Sequence, residues 1–127
     1  MVPGIRRELT VGYEEALARV PEALKSEGFG VLTEIDVAAT LKAKLGVDHR
    51  RYKILGACNP SYAHRALGVE LELGVMLPCN VVVYERDGGG ANVIAIDPMG
   101  TIAAQDPALA PIAAEVRAKL ARAIDRL

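Results

Sequence analysis

Both cysteines of this 127-residue chain fall between Leu55 and Tyr84, and each is followed by asparagine: Cys58-Asn59 and Cys79-Asn80. His64 lies between them. Thiols do redox and nucleophilic work as thiolates, and the free N–H groups and dipole of a helix N-terminus favour that form. Cys58 reads as a residue so placed, at the end of a strand and directly ahead of Asn59-Pro60, a cap-and-first-turn pair that opens a helix. His64 follows Pro60 by one turn on the same face. Helical side chains lean toward the N-terminus, so His64 would reach back toward Cys58. Cys58, His64 and Cys79 would then offer three zinc ligands with a fourth position open. His49 precedes the third strand and falls at its opposite end, which makes it a poor fourth ligand.

The same residues have plainer readings. Free cysteine is among the most buried residue types, so Cys58 and Cys79 also suit a sheet closed by two small apolar side chains. Their separation permits a disulfide and compels none, and no Cys-x-x-Cys is present. Asn59 reads first as a helix cap. Asn80 begins a strand, where asparagine is uncommon, so its amide would tie a loop or meet a ligand. Asp97, ahead of Pro98, would accept turn N–H groups or face a pocket. Gly88-Gly89-Gly90 lacks the Lys-Ser/Thr ending of a phosphate loop, and no nucleophile elbow or nucleophile-base-acid set is visible.

The elements that would position these residues follow from periodicity. Ile5 to Val11 alternate loosely as a first strand. Tyr13, Ala16, Leu17, Val20 and Leu24 recur at helical steps between Gly12 and Glu27, with Glu14 and Glu15 near the start, Pro21 expected to bend or weaken the helix, and Gly28 as its stop. Phe29 to Asp36 reads as a strand, with Asp36 capping a short helix that Gly46 ends. Arg50 to Cys58 is a third strand. The helix opened by Asn59-Pro60 is expected to end at Gly68. Two apolar runs around Asp87-Gly88-Gly89-Gly90 mark a β-hairpin. A last helix is expected from about Pro107, capped by Asp106, with Ile112, Val116, Leu120, Ala123 and Leu127 on one stripe. The order β-α-β-α-β-α-β-β-α predicts an α+β fold whose helices pack on one face of a mainly antiparallel sheet.

Length and composition set the frame. A chain of 127 residues, 51% hydrophobic and with no linker or repeat, suits one domain over residues 1–127 that buries roughly two-thirds of its unfolded surface. Aromatic residues are only 4%, so the core must be aliphatic and base stacking has little to work with. The net charge of −1, without a basic block, disfavours nucleic acid as a partner. No run of about 18 apolar residues predicts a membrane span, and the N-terminus lacks a signal-peptide pattern. A reduced cytoplasmic protein is the expectation.

The segments Glu27–Val47, Tyr52–Pro60, Ala63–Leu67, Leu77–Glu85 and Ala95–Pro98 together resemble the widespread bacterial and archaeal domain-of-unknown-function family numbered three hundred and two. The resemblance runs from about Thr10 to the C-terminus. It implies a small two-layer α/β sandwich and a homodimer, and it implies no activity.

The residues therefore favour a binding module over a catalyst. The expected pocket, for a small molecule or a partner, lies near Cys58-Asn59 and Cys79-Asn80 with Asp97 and His64 close by. The competing expectation is a thiol- or zinc-dependent redox or transfer enzyme using Cys58, Cys79 and His64.

Overall fold

Five strands build a sheet, and three of the four helices bury an apolar face against it. The computed structural model describes residues 2–127. In chain order it contains β1 (Gly4–Leu9), α1 (Tyr13–Lys25), β2 (Gly30–Asp36), α2 (Val37–Leu45), β3 (Tyr52–Cys58), α3 (Pro60–Val69), β4 (Cys79–Glu85), β5 (Ala91–Ile96) and α4 (Ala110–Asp125). The strands form one sheet in the order β1-β5-β4-β3-β2. Every pairing is antiparallel. The expected α+β sandwich, with helices on one face of an antiparallel sheet, is the fold observed.

Strand phase decides which side chains meet the helices. Leu55, Ala57, Val81, Val83, Val93 and Ala95 are all at most 1% exposed, facing the helical layer. Their neighbours Ile54, Val82, Tyr84 and Ile94 point to the other face and stay half-buried. From the helices, Ala16, Val20 and Leu24 of α1 and Leu120, Ala123 and Ile124 of α4 complete the core.

Local chemistry sets the boundaries. The helix α1 continues through Pro21 to Lys25, with Val20 and Leu24 buried on either side of the proline. It ends in a Schellman motif: Phe29 N–H donates to the Leu24 carbonyl and Gly28 N–H to that of Lys25, both at 3.0 Å. Gly28 takes the left-handed conformation this requires, with φ +86°, and the buried side chains of Leu24 and Phe29 accompany it. Asp36 caps α2 by accepting from Ala39 N–H at 2.9 Å, and Gly46, at φ +68°, closes it. The hairpin between β4 and β5 turns through Gly88, Gly89 and Gly90, all with positive φ. A Cβ on Gly90 would lie 2.4 Å from the Leu9 carbonyl oxygen, so only glycine lets β1 pass this close.

Two expectations need correction. Gly68 does not stop α3, which runs on to Val69, and the chain then winds into a 3-10 helix, Leu71–Met76. Gly68 carries no positive φ, so it lacks the geometry of a terminator. Asp106 does not cap α4. Its carboxylate accepts from Ala108 N–H at 2.8 Å in a preceding turn, and the helix begins at Ala110 with Pro111 in its first turn. Leu127, just past the end of α4, packs half-buried against the core as expected, and Ala113 and Ile124 join the apolar stripe.

Polar groups fasten α4 at its C-terminal end. Arg7 Nη1 donates to the carbonyls of Ile124 and Asp125, at 3.2 and 2.6 Å, in the last turn of α4, where the i−4 helical bonds run out. Arg122 and Arg126 both reach Glu27, at 2.7 and 2.6 Å. Their hydrogen bonds hold the Glu27 carboxyl below its ordinary range. No helix among the described residues is long and apolar enough to cross a membrane.

Candidate functional site

At the end of the sheet where β3 finishes and β4 begins, Ala57 stands opposite Cys79. The chain leaves β3 into α3 and returns to β4 through the 3-10 helix, so both connections lie beside this end. The helix α4 closes the space from the other side. Between them is a cavity of about 400 Å³. Its floor includes Ala57, Cys58 and Cys79, and α3 contributes Tyr62, Ala63 and Ala66. The helix α4 adds Ile112, Ala113 and Val116, while Leu73, Met76 and Leu77 come from the 3-10 segment and its exit. Alanine at 57, 63, 66 and 113 leaves the room, because those positions place one methyl where a larger residue would meet its opposite number.

The cavity surface is overwhelmingly apolar, and its few polar side chains include Thr33, Asn59, Tyr62 and Thr101. The 3-10 segment shows how sharply it is divided. Leu73 and Met76 turn inward, whereas Leu71 and Val75 are 84% and 90% exposed.

Both cysteines are free and half-buried, and both line the cavity. Burial pushes the Cys79 thiol up to about 11, and the nearby Cys58 adds to the shift. At pH 7 roughly one Cys79 in ten thousand is then a thiolate, so it faces the cavity as a neutral, weakly polar group. Alkylation of Cys79 by iodoacetamide in a Cys58→Ser background should therefore keep accelerating above pH 9, because burial, the larger cause of the shift, remains when the Cys58 thiol is gone. A rate that has levelled off by pH 9 would contradict this environment.

The structure places the other sequence-derived candidates as follows. Asn59 stands at the N-cap position of α3, but its side chain does not cap that helix. Its Nδ2 donates instead to the Glu27 carbonyl at 3.2 Å, tying the turn after α1 to the cavity rim. Capping would need Oδ1 to accept from the first turn of α3, and the amide is oriented by its Nδ2 bond across the fold instead. His64 is exposed and is not a lining residue, so the expected Cys58–His64–Cys79 ligand set is not assembled. Among the described residues no group of three or more His, Cys, Asp or Glu side chains is placed to share a metal. Asn80 is exposed, because strand phase turns it away from the face that Cys79 and Val81 share. Asp97 accepts from Met99 N–H at 2.9 Å and pairs with Arg117 at 3.0 Å, so it serves a turn while its neighbours Ile96 and Pro98 line the cavity.

Sequence reasoning missed Tyr62, Met76 and the alanine walls. The apolar run Leu71–Leu77 was the one signal available, since a connection this hydrophobic must cover something.

The model of a family described as "Domain of unknown function DUF302" matches residues 5–127, nearly the whole chain. The chain belongs to the DUF302 family. A crystal structure described as an uncharacterized conserved protein DUF302 from Bacillus stearothermophilus is 36% identical to it and superimposes with a TM-score of 0.89. That match covers 99% of this chain and 98% of the other. A comparison with curated proteins found no match. The DUF302 fold thus recurs over its full length at this level of identity, cavity-forming connections included in the matched span.

Proposed function

We propose that this DUF302 domain binds a small, predominantly apolar molecule in the cavity between α3, α4 and the 3-10 segment. The observation that carries the reading is the cavity itself: about 400 Å³, walled by aliphatic side chains, with Cys58 and Cys79 among its lining residues. Ligand sites typically fall at roughly 300–1,000 Å³, with apolar walls and a few polar groups that orient the ligand. Covering apolar walls of this kind with an apolar guest removes their surface from water, which favours binding. Cys58, Asn59 and Cys79 belong to this reading as wall and rim. With Cys79 neutral at physiological pH, the cavity favours binding over thiolate chemistry.

Decanol is a suitable probe. Present at a hundred times its Kd, it should stabilise the native state by about 2.7 kcal/mol, which is a rise of several degrees in Tm. Cys58→Ser should keep its affinity within about tenfold, a change of 1.4 kcal/mol. A flat Tm with decanol and with aromatic probes of similar size would contradict the reading. Loss of binding in folded Cys58→Ser would instead point to thiol chemistry.

A further inference from the structure

The cavity is apolar, but the wall where α3 meets α4 is edged with cations. Tyr62 lines the cavity and is half-buried, which puts it at the boundary between the apolar interior and water. Two cations approach its ring: Arg65 at 5.3 Å and Lys119 at 5.9 Å from the centroid. The arginines along this edge are occupied. Arg65 pairs with Glu115, Arg117 with Asp97, and Arg122 and Arg126 share Glu27. Lys119, half-buried and one turn beyond the lining residue Val116, makes no ion pair among the described residues.

We infer that the ligand is an anionic amphiphile, its chain in the cavity and its carboxylate or similar headgroup at Tyr62 and Lys119. The inference rests on the cavity reading above and adds the headgroup. An apolar chain satisfies the aliphatic walls, and the boundary position of Tyr62 is where such a molecule must change from apolar to charged. A cation without a carboxylate partner favours a negative group there, and half-burial limits the screening that weakens exposed pairs. A neutral amphiphile would leave Lys119 as it is. A cationic one would meet like charge from Lys119 and Arg65.

Isothermal titration calorimetry on the full chain at low salt, with decanoate, decanol and decyltrimethylammonium below their aggregation limits, tests this. Decanoate should bind about threefold to tenfold more tightly than decanol, and the cationic probe should bind weakest. The preference should shrink as salt is raised. Lys119→Gln should abolish it by weakening decanoate much more than decanol, and Lys119→Arg should restore it. Equal binding of decanoate and decanol, or a preference that survives Lys119→Gln, overturns the headgroup assignment and leaves the cavity reading standing. Failure of all three probes to bind overturns both.

Discussion

Replacing Ala63 with phenylalanine should weaken decanol binding about tenfold to a hundredfold while the protein stays folded. Ala63 is a half-buried cavity wall on α3, so the new ring has space to enter. A ligand could then be seated only by displacing that ring or the facing residues of α4, and overpacking of this kind costs typically 1–3 kcal/mol. Each 1.4 kcal/mol is a factor of ten in affinity. The variant's own Tm should not fall, because the ring gains contacts that the alanine methyl leaves unmade. Calorimetric titration beside a melting curve separates the two effects. Unchanged affinity in a folded Ala63→Phe would mean that decanol binds somewhere else.

The opposite outcome is expected one helix away. Leu120→Ala should cost about 2–5 kcal/mol of stability, the usual range for removing a buried leucine side chain. Leu120 is 0% exposed and belongs to the core cluster that includes Ala16, Val20 and Leu24 of α1. No lining residue of the cavity is lost, so ligand affinity per folded molecule should be retained. Urea denaturation should show a lower midpoint with an unchanged slope. A loss below about 1 kcal/mol would show that the interface between α1 and α4 collapses around the void far more readily than such cores do.

These two positions also mark what the sequence made legible. Leu120 was readable as core because α4 repeats apolar residues at helical spacing, and the same periodicity recovered the order of all nine elements. Gly28, Asp36 and the Asp87–Gly90 turn were readable because each answers a local backbone demand: a left-handed residue, an unpaired N–H, a tight reversal. Ala63 was not readable as a cavity wall. An alanine in a helix looks the same whether a neighbour packs on it or stands away from it, and the void exists only once α3 and α4 are fixed in space.

The candidate site divides along the same line. Cys58 and Cys79 come near one another only if their strands are neighbours, which the sequence leaves open and the pairing of β3 with β4 supplies. Asn80 could have been set aside from the sequence, because the alternation that buries Val81 and Val83 turns position 80 outward. Asn59 and His64 required tertiary information. The Asn59 amide is diverted to Glu27, far away in sequence, and the exposure of His64 depends on the side from which α4 covers α3.

The most direct test of the central claim is a methyl NMR titration of alanine-labelled protein with decanol. The account predicts progressive shifts at Ala57, Ala63, Ala66 and Ala113, which line the cavity. Ala16, Ala91 and Ala123, buried elsewhere in the core, should stay fixed. Shifts scattered over both groups, or none up to the solubility of decanol, would contradict a binding cavity at this end of the sheet.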